Sequence, residues 1–452
     1  MSQRQAPVSN DGEEKLSLKE TIAMGVGGMV GGGIFSVLGL AIAQAGHAAP
    51  IAFALGGIIA LLTGMSYARL GLRYRSSGGS FTYLERAFRN PNIAAIGGWL
   101  LLIGYVGTLS LYAYTFGVYG SAMLGGNGEN TAMHHLLETL VILSFLGINL
   151  YGVKASGTSE LIIVTVKVLI LFLFAAIGLF YIKPENLFPV FNQGFGGVVM
   201  GAALIFVAYE GFELIPNAIN EMEAPERNLL RGIIWSIVIT ITIYVLVSIV
   251  AIGNLLPEEI QKYKEYALAV AAKPFLGQAG YMLIGLAALF STSSAINATM
   301  FGTARLGMVM ATERALPRAF GFRRRSNNIP WFSLLVISLA TLLFINLANL
   351  TIISSFASST FLMIFALINL AAWRLRHKIG IRSWIPASGL LLALASWLGL
   401  LGYLWQTERE TLTWILLTYL VFSLVELMIP REPVPEDDDP GSSGMGPKPG
   451  AT

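Results

Sequence analysis

Three ionisable residues lie inside long apolar runs of the chain. Lys167 occupies the middle of "ELIIVTVKVLILFLFAAIGLF", and Glu210 and Glu213 belong to "FVAYEGFELIPN". A charged group in an apolar environment is costly and usually serves proton transfer or the binding of a charged ligand. A lysine near a helix end can instead extend its ammonium group to the aqueous interface, but that reach is poor from a central position. We therefore interpret Lys167 as a residue that binds and releases a proton.

The two glutamates allow two interpretations. Glu210 could bind the amine or the cationic side chain of a ligand, and Glu213 could be a proton-sensing or gating carboxylate. Alternatively, one or both side chains are protonated and only form hydrogen bonds within the folded chain. Gly211 and Pro216 lie beside them, and both residue types weaken a helix. The segment therefore combines acidic residues with an interrupted helix.

A second candidate segment is "GVGGMVGGGIF", residues 25–35, which holds six glycines. Glycines at four-residue spacing, such as Gly27 and Gly31, are typical of close helix packing. The same residues could instead form an unwound segment whose free N–H groups bind a carboxylate. The dipole of a half-helix starting at Ile34 and Phe35 would assist that binding. The residues alone leave both interpretations open.

The other polar residues of the apolar segments suit structural roles as well as functional ones. The cluster that could line an ion or lysine pocket, or form interhelical hydrogen bonds, comprises Thr292, Ser293, Ser294 and Asn297. The cluster for which hydrogen bonding is favoured comprises Ser354, Ser355, Ser358, Ser359 and Thr360. Packing is favoured over gating for Tyr105 and Tyr112, and a solvated loop position for His134 and His135.

No metal site, cofactor or catalytic residue is expected. The chain contains no cysteine and four histidines, which excludes thiolate chemistry and a histidine metal cluster. No Lys-Ser or Lys-Thr pair follows the glycine-rich segment, as a phosphate-binding loop requires.

These candidate residues belong to a chain with the composition of a membrane protein. Of its 452 residues, 55% are hydrophobic and 12% are charged, whereas soluble domains carry about 25% charged residues. This composition indicates an integral membrane protein and excludes a soluble enzyme. Long continuous apolar runs favour helices over a β-barrel. We predict about twelve transmembrane helices, at 21–44, 49–71, 93–124, 133–151, 159–182, 196–219, 230–254, 275–304, 332–348, 351–373, 385–405 and 411–429.

The charges of the loops predict the orientation of these spans. Most of the 29 Lys and Arg residues fall in the tails and in loops that lie on the same side of the membrane as the N-terminus. Basic loops stay in the cytoplasm. We therefore expect both termini to be cytoplasmic. Residues 1–20 form a polar tail that lacks the features of a cleavable signal peptide. Residues 431–452 are rich in Pro, Gly, Asp and Ser, which is typical of a disordered tail.

The interrupted spans are the first and the sixth. Broken helices at matching positions of two halves point to the midplane binding site of a transporter. We therefore predict two inverted repeats, residues 21–182 with spans 1–5 and residues 196–373 with spans 6–10. Spans 11 and 12 are appended at 385–429.

Five separated motifs are together highly specific. They are "GVGGMVGGGIF", "SSGGSFTYLERAF" followed by "GGW" at 97–99, "FVAYEGFE", "NEMEAPERNLLRGI" and "NATMFGTAR". They resemble motifs of the amino-acid permeases in the amino acid–polyamine–organocation superfamily, over roughly residues 17–375. The resemblance implies an all-α integral membrane protein with the LeuT-like fold: about twelve transmembrane helices, a 5+5 inverted repeat, two C-terminal helices and discontinuous spans 1 and 6. Glu210 departs from the pattern, because this position is often apolar in relatives.

The resemblance also implies a substrate site. Backbone N–H groups around Gly32 and Gly33 would bind the α-carboxylate of an amino acid. Carbonyl groups near Met29 and in the sixth-span break would bind its α-amine. The expected substrate-binding residues are Met29, Gly31, Gly32, Gly33, Ile34, Val207, Ala208, Tyr209 and Glu210.

Proton-coupled members of the family have a span-5 lysine in the position of a second sodium ion, and Lys167 falls there. Its amine would approach carbonyls near Gly25 and the hydroxyls of Thr292 or Ser293. Glu213 matches an acidic position that is common after the sixth-span break. A fixed cation argues against sodium at this point.

The leading interpretation is a proton-coupled amino-acid symporter that works by alternating access in a prokaryotic inner membrane. The alternative is an exchanger, or a carrier of a polyamine, an organic cation or an amino-acid derivative. A remote alternative is an amino-acid sensor without transport. The expected partners are an amino acid or related amine, protons and the lipid bilayer, with no nucleic acid.

Overall fold

The structure is a computed structural model that describes residues 15–76, 78–88, 90–124, 131–152, 157–255, 257–313, 315–324 and 329–428. Across these residues the regular secondary structure is helical, apart from one isolated parallel bridge between Leu16 and Met222. The predicted all-α class is confirmed for this part of the chain. Most of the predicted N-terminal tail and all of the predicted C-terminal tail lie outside the described residues.

The described residues form sixteen α-helices. In chain order they are α1 (Leu18–Met29), α2 (Gly33–Ala45), α3 (Ala49–Tyr74), α4 (Ser80–Ala87), α5 (Pro91–Met123), α6 (Thr131–Tyr151), α7 (Gly157–Gly178), α8 (Gly194–Leu204), α9 (Pro225–Asn254), α10 (Pro257–Tyr263), α11 (Ala267–Thr312), α12 (Trp331–Leu347), α13 (Leu350–Arg374), α14 (Arg376–Ile379), α15 (Trp384–Thr407) and α16 (Arg409–Leu427). Short 3₁₀ helices lie at Gly46–Ala48, Leu179–Tyr181, Pro184–Leu187, Phe206–Tyr209, Phe212–Glu221, Lys264–Tyr266 and Arg318–Gly321.

The outer helices present apolar side chains to their surroundings. Phe172 on α7, Leu391 on α15 and Trp414 on α16 are 58%, 68% and 67% exposed. Soluble monomers rarely expose large contiguous apolar patches, so this surface faces lipid. Nine helical segments in the described part of the chain are long and apolar enough to cross a membrane, or up to ten if the bent pair after Gly194 is one span. The chain is therefore a multi-pass membrane protein.

All twelve predicted spans fall on helical segments of the structure. The exact count of twelve and the inverted repeat remain predictions. The eighth predicted span is longer than expected, because α11 runs from Ala267 to Thr312 and changes direction at Gly277, which has φ +59°. The loop after α3 contains the short helix α4, which the hydropathy pattern alone does not reveal.

Local sequence explains where α1 begins. The Ser17 hydroxyl accepts from the Glu20 N–H, and Glu20 accepts from the Ser17 N–H at 2.8 Å, which is a capping box. These hydrogen bonds hold the pKa of Glu20 below its ordinary value. The N-terminus of the first broken span is therefore fixed by its own residues.

Helix packing surrounds the two broken spans. The long helix α5 packs against α6, α11 and α13, while α9 packs against both α1 and α3. The breaks lie between these two groups of helices, and the residues around them are buried.

Candidate functional site

The first break separates α1 from α2. Helix α1 ends at Met29, and α2 begins at Gly33 with Gly32 as its N-cap. The first N–H groups of an α-helix have no carbonyl partner within the helix, and the helix dipole makes this end positive. Gly31 and Gly32 add no side chain, so a carboxylate could approach these N–H groups directly. The segment is unwound, as the second interpretation requires, and its binding role stays a prediction.

The second break begins where α8 ends at Leu204. The chain bends by 50° after α8 and continues as two 3₁₀ helices to Glu221. Gly211, with φ +125°, lies between these two 3₁₀ helices. A serine of α13 binds the freed backbone, because Ser358 Oγ donates to Leu204 O at 2.7 Å and accepts from the Val207 N–H at 3.0 Å. This serine therefore has the structural role that the sequence favours for its cluster.

The two breaks lie directly against each other. A β-carbon on Gly211 would be 2.6 Å from the carbonyl carbon of Gly28. A β-carbon on Gly33 would be 2.7 Å from the Cα of Ala208. Real Cβ atoms do not approach this closely, so no side chain fits at either point. The result is one buried stretch of polar backbone formed by two distant segments.

A tyrosine that the sequence did not single out joins the two breaks. The Tyr244 Oη on α9 lies 2.6 Å from Met29 O and 2.9 Å from Ala208 O, at hydrogen-bond distance from both. Its side chain is fully buried. A lone tyrosine in an apolar helix gives no sequence signal for this role, because aromatic residues are common in such helices.

The serine and threonine cluster of α11 contacts the first break through a different residue than expected. Ser291 Oγ lies 2.6 Å from Val30 O and 2.9 Å from Gly31 O, within hydrogen-bond distance of both. The Thr292 hydroxyl donates at 2.8 Å to a carbonyl one turn earlier in its own helix, and Ser293 is partly exposed. Thr292 therefore presents its methyl group to the break, since a β-carbon on Gly32 would be 3.1 Å from its Cγ2, while its hydroxyl turns back to its own helix.

Lys167 lies on the inner face of α7. Its side chain is 2% exposed, whereas Val166 and Leu169 beside it are 51% and 53% exposed towards the lipid. Its Nζ donates to Gly27 O at 2.9 Å. The resemblance implied carbonyls near Gly25, and Gly27 lies two residues further along α1. The ammonium therefore reaches the last turn of α1, just before the break, and does not extend to an interface.

The two glutamates are held by α5. Glu210 accepts from the Thr108 hydroxyl. Glu213 accepts from the Tyr105 hydroxyl at 3.2 Å and from the Gly211 N–H at 2.7 Å. Both glutamates are 2% exposed. Tyr105 and Thr108 lie three residues apart on one helix face, so they meet two carboxyl groups with the same spacing. Thr108 is a further site residue that the sequence did not indicate.

Tyr209, Ile34 and Tyr112 contact different parts of the structure. Tyr209 is buried, but its hydroxyl donates to Phe53 O on α3 at 2.6 Å and not to a residue of either break. Tyr112 packs against the first break, since a β-carbon on Gly32 would be 2.5 Å from its Cδ1. Ile34 is fully buried in the first turn of α2. The packing role favoured for Tyr112 agrees with this contact.

The expected loop position of the histidine pair is wrong, and His134 is largely buried, whereas the side chain of His135 is 40% exposed. His134 and His135 lie in the first turns of α6. His134 Nε2 is 3.2 Å and His135 Nδ1 is 2.5 Å from the carboxylate of Glu138, whose side chain is fully buried. A buried carboxylate needs polar partners, so the pair folds back onto its own helix.

The chain is similar to a known family model and to several known proteins along most of its length. A family model described as "Amino acid permease" matches residues 16–436. An uncharacterized protein of Methanocaldococcus jannaschii is 36% identical over 420 residues, which cover 92% of this chain and 95% of the relative. The inner membrane transport protein YbaT of Escherichia coli is 30% identical over 424 residues, covering 93% and 98%. The methylthioribose transporter of Bacillus subtilis is 28% identical over 380 residues, covering 80% and 81%.

Proposed function

The chain belongs to the amino acid permease family, so it is a transporter and not an enzyme, and we propose that it is a proton-coupled amino-acid symporter working by alternating access. The substrate would bind where the two broken spans meet. Protonation of Lys167 would be linked to the binding of substrate at this site. Each part of this proposal has its own structural support.

The contact between Lys167 and the first break carries the proposal. The Nζ donates to Gly27 O at 2.9 Å in a buried environment. An ammonium group stabilises a carbonyl dipole more strongly than a neutral amine does. Gain or loss of the proton therefore changes the stability of the last turn before the break. A ligand that orders the same segment is linked to the proton by a reciprocal coupling free energy.

The backbone of the breaks suits both ends of an amino acid. The N–H groups at the start of α2, at Gly33, match a carboxylate. The carbonyl oxygens of Met29 and Ala208 converge within the same buried stretch and match an ammonium group. Neither feature depends on the side chain of the substrate, which leaves the preferred amino acid to other residues.

The gradient that drives uptake tests the proposal. Purified protein in proteoliposomes would be given a labelled mixture of amino acids, with an inward proton gradient in one sample and an inward sodium gradient in the other. Uptake driven by protons alone supports the symport mechanism. Uptake driven only by sodium contradicts it and makes Lys167 a structural residue. Uptake that requires amino acid on the opposite side of the membrane instead favours an exchanger.

A carrier of polyamines, organic cations or amino-acid derivatives is the second candidate, and Glu210 favours it. This carboxyl group is 2% exposed and lies next to the break at Gly211. An acidic group two residues after Ala208, whose carbonyl would bind the amine, would suit a ligand with an additional positive charge.

A competition panel separates the two candidates. We expect Glu210→Gln to weaken inhibition by cationic compounds about tenfold while leaving neutral amino acids unaffected, because a buried charge pair is worth more than a neutral hydrogen bond. Equal inhibition of wild type and Glu210→Gln by every cationic compound would remove the cationic substrate.

We also propose that both termini face the cytoplasm of a prokaryotic cell and that the protein lies in its inner membrane. The basic loops on the N-terminal side support this orientation.

A further inference from the structure

Two carbonyl oxygens, one from each break, meet at a single hydroxyl group. The Tyr244 Oη lies 2.6 Å from Met29 O and 2.9 Å from Ala208 O. A phenol hydroxyl carries one hydrogen. It can donate a full hydrogen bond to one of the oxygens, or a weaker shared bond to both. The hydroxyl alone therefore does not fully satisfy this pair of carbonyls.

The ring that carries the hydroxyl is fixed by its neighbours. Its centroid lies 5.5 Å from that of Phe53, nearly edge-on, and 5.3 Å from that of Tyr209. Packed aromatic rings of this kind resist displacement. The hydroxyl can still rotate its hydrogen towards either carbonyl and accept a hydrogen bond through its oxygen lone pairs. The hydrogen of this hydroxyl can therefore be redirected from one carbonyl to the other while the ring stays in place.

A primary ammonium group has the chemistry that the point requires. It brings three N–H donors and a positive charge, and the converging carbonyl dipoles stabilise both. A quaternary ammonium ion brings the charge without any donor. The two oxygens therefore distinguish cations by the number of N–H groups they carry.

We propose that the Tyr244 hydroxyl is a built-in occupant of the amine-binding point: it caps Met29 O and Ala208 O in the empty transporter and yields one of them to the primary ammonium group of the substrate. This inference rests on the proposed function, because it assumes an amine substrate. It makes Tyr244 a determinant of affinity and of the preference for primary amines.

Uptake kinetics test the competition between hydroxyl and substrate. Tyr244→Phe keeps the ring and removes the donor, so the ammonium group gains more on binding. For the amino acid that wild type takes up best, we expect KM to fall about three- to tenfold, the range covered by one hydrogen bond. We expect kcat to fall as well, because release becomes slower. A purely structural role would instead raise KM.

The matched control is Tyr119→Phe. Tyr119 is 1% exposed, and its hydroxyl also donates to a backbone carbonyl, that of Phe35 at 2.9 Å. This bond lies one turn beyond the break, so its loss should leave KM unchanged. If Tyr244→Phe fails to fold, Tyr244→Met removes the same hydroxyl with an apolar side chain.

The binding of small ammonium ions tests the proposed amine-binding point without a transport measurement. In purified protein, methylammonium chloride should raise the Tm of Tyr244→Phe more than that of wild type or Tyr119→Phe. Tetramethylammonium chloride should change the Tm of the three proteins by the same amount. Equal effects of methylammonium on all three overturn the inference, whatever the uptake kinetics. If wild type takes up no amino acid, the proposed symport fails, and the methylammonium comparison still decides the role of Tyr244.

Discussion

At the scale of single residues, the polar groups of the site are paired across long distances in the chain. Lys167 reaches α1, Thr108 reaches Glu210, and Ser291 reaches Val30. Each contact joins a side chain on one helix to a break in another. The site is therefore a set of polar backbone atoms whose environment is completed by single side chains from the surrounding helices.

Lys167→Ala tests the most consequential of these contacts. We expect the variant to lose proton-driven uptake by at least about tenfold, because the charge-assisted bond from Lys167 Nζ to Gly27 O is removed. Initial uptake rates in proteoliposomes with and without a pH gradient are the measurement. The control is Lys183→Ala, since Lys183 is exposed in the connection after α7. Unchanged proton-driven uptake in Lys167→Ala would show that the proton is carried elsewhere.

The sequence indicates the charged residues of the candidate site far better than its hydroxyl residues. Lys167, Glu210 and Glu213 stand out because charge is rare in apolar segments. Tyr244 and Thr108 do not, because hydroxyl and aromatic groups are common there and commonly bond to their own helix. Their partners are 215 and 102 residues away, and such distances depend on the packed fold.

At the scale of elements, the breaks depend on glycines that allow close backbone contact. Gly211 has φ +125°, which other residues rarely adopt, and its missing side chain makes room for Gly28. The sequence predicts both interruptions correctly, because glycine and proline disfavour helix in any context. The breaks and the resemblance imply one shared site, but the direct backbone contact between Gly28 and Gly211 depends on the orientation of α1 and α8.

Gly211→Ala should therefore damage the protein severely. The new β-carbon would be 2.6 Å from the carbonyl carbon of Gly28, and the positive φ alone costs about 1–3 kcal/mol. We expect a clearly lower Tm and loss of uptake. The control is Gly302→Ala on α11, where a β-carbon meets nothing within 4 Å and where alanine should be neutral or stabilising by roughly 0.5–1 kcal/mol. Similar Tm values for the two variants would contradict the close contact.

At the scale of the whole molecule, two kinds of contact hold the broken spans. Within one group, α1, α8, α9 and the 206–221 segment, backbones touch directly and Tyr244 joins both breaks. Towards α5, α11 and α13, the contacts at the breaks combine side-chain packing, as of Tyr112 against Gly32, with single hydroxyl hydrogen bonds from Thr108, Ser291 and Ser358. Such bonds between membrane helices are worth about 0.6 kcal/mol each. The first group is therefore suited to move as one unit against the second.

A cross-link within the moving group tests this division. The Leu16 N–H donates to Glu221 O at 2.7 Å and the Glu223 N–H donates to Leu16 O at 2.9 Å, so Leu16 lies opposite Met222. Adjacent strands bring Cα atoms to a distance that a disulfide can span.

The natural sequence has no cysteine, so Leu16→Cys with Met222→Cys creates one defined bond. Because Leu16 adjoins α1 and Met222 adjoins the 206–221 segment of the same unit, we expect the oxidised protein to transport at a rate within about twofold of its reduced form. The two single variants serve as controls, and their rates should not change on oxidation. Uptake that stops on oxidation of the double variant alone and returns on reduction would mean that the two broken spans move apart at this end, and that they do not move as one unit.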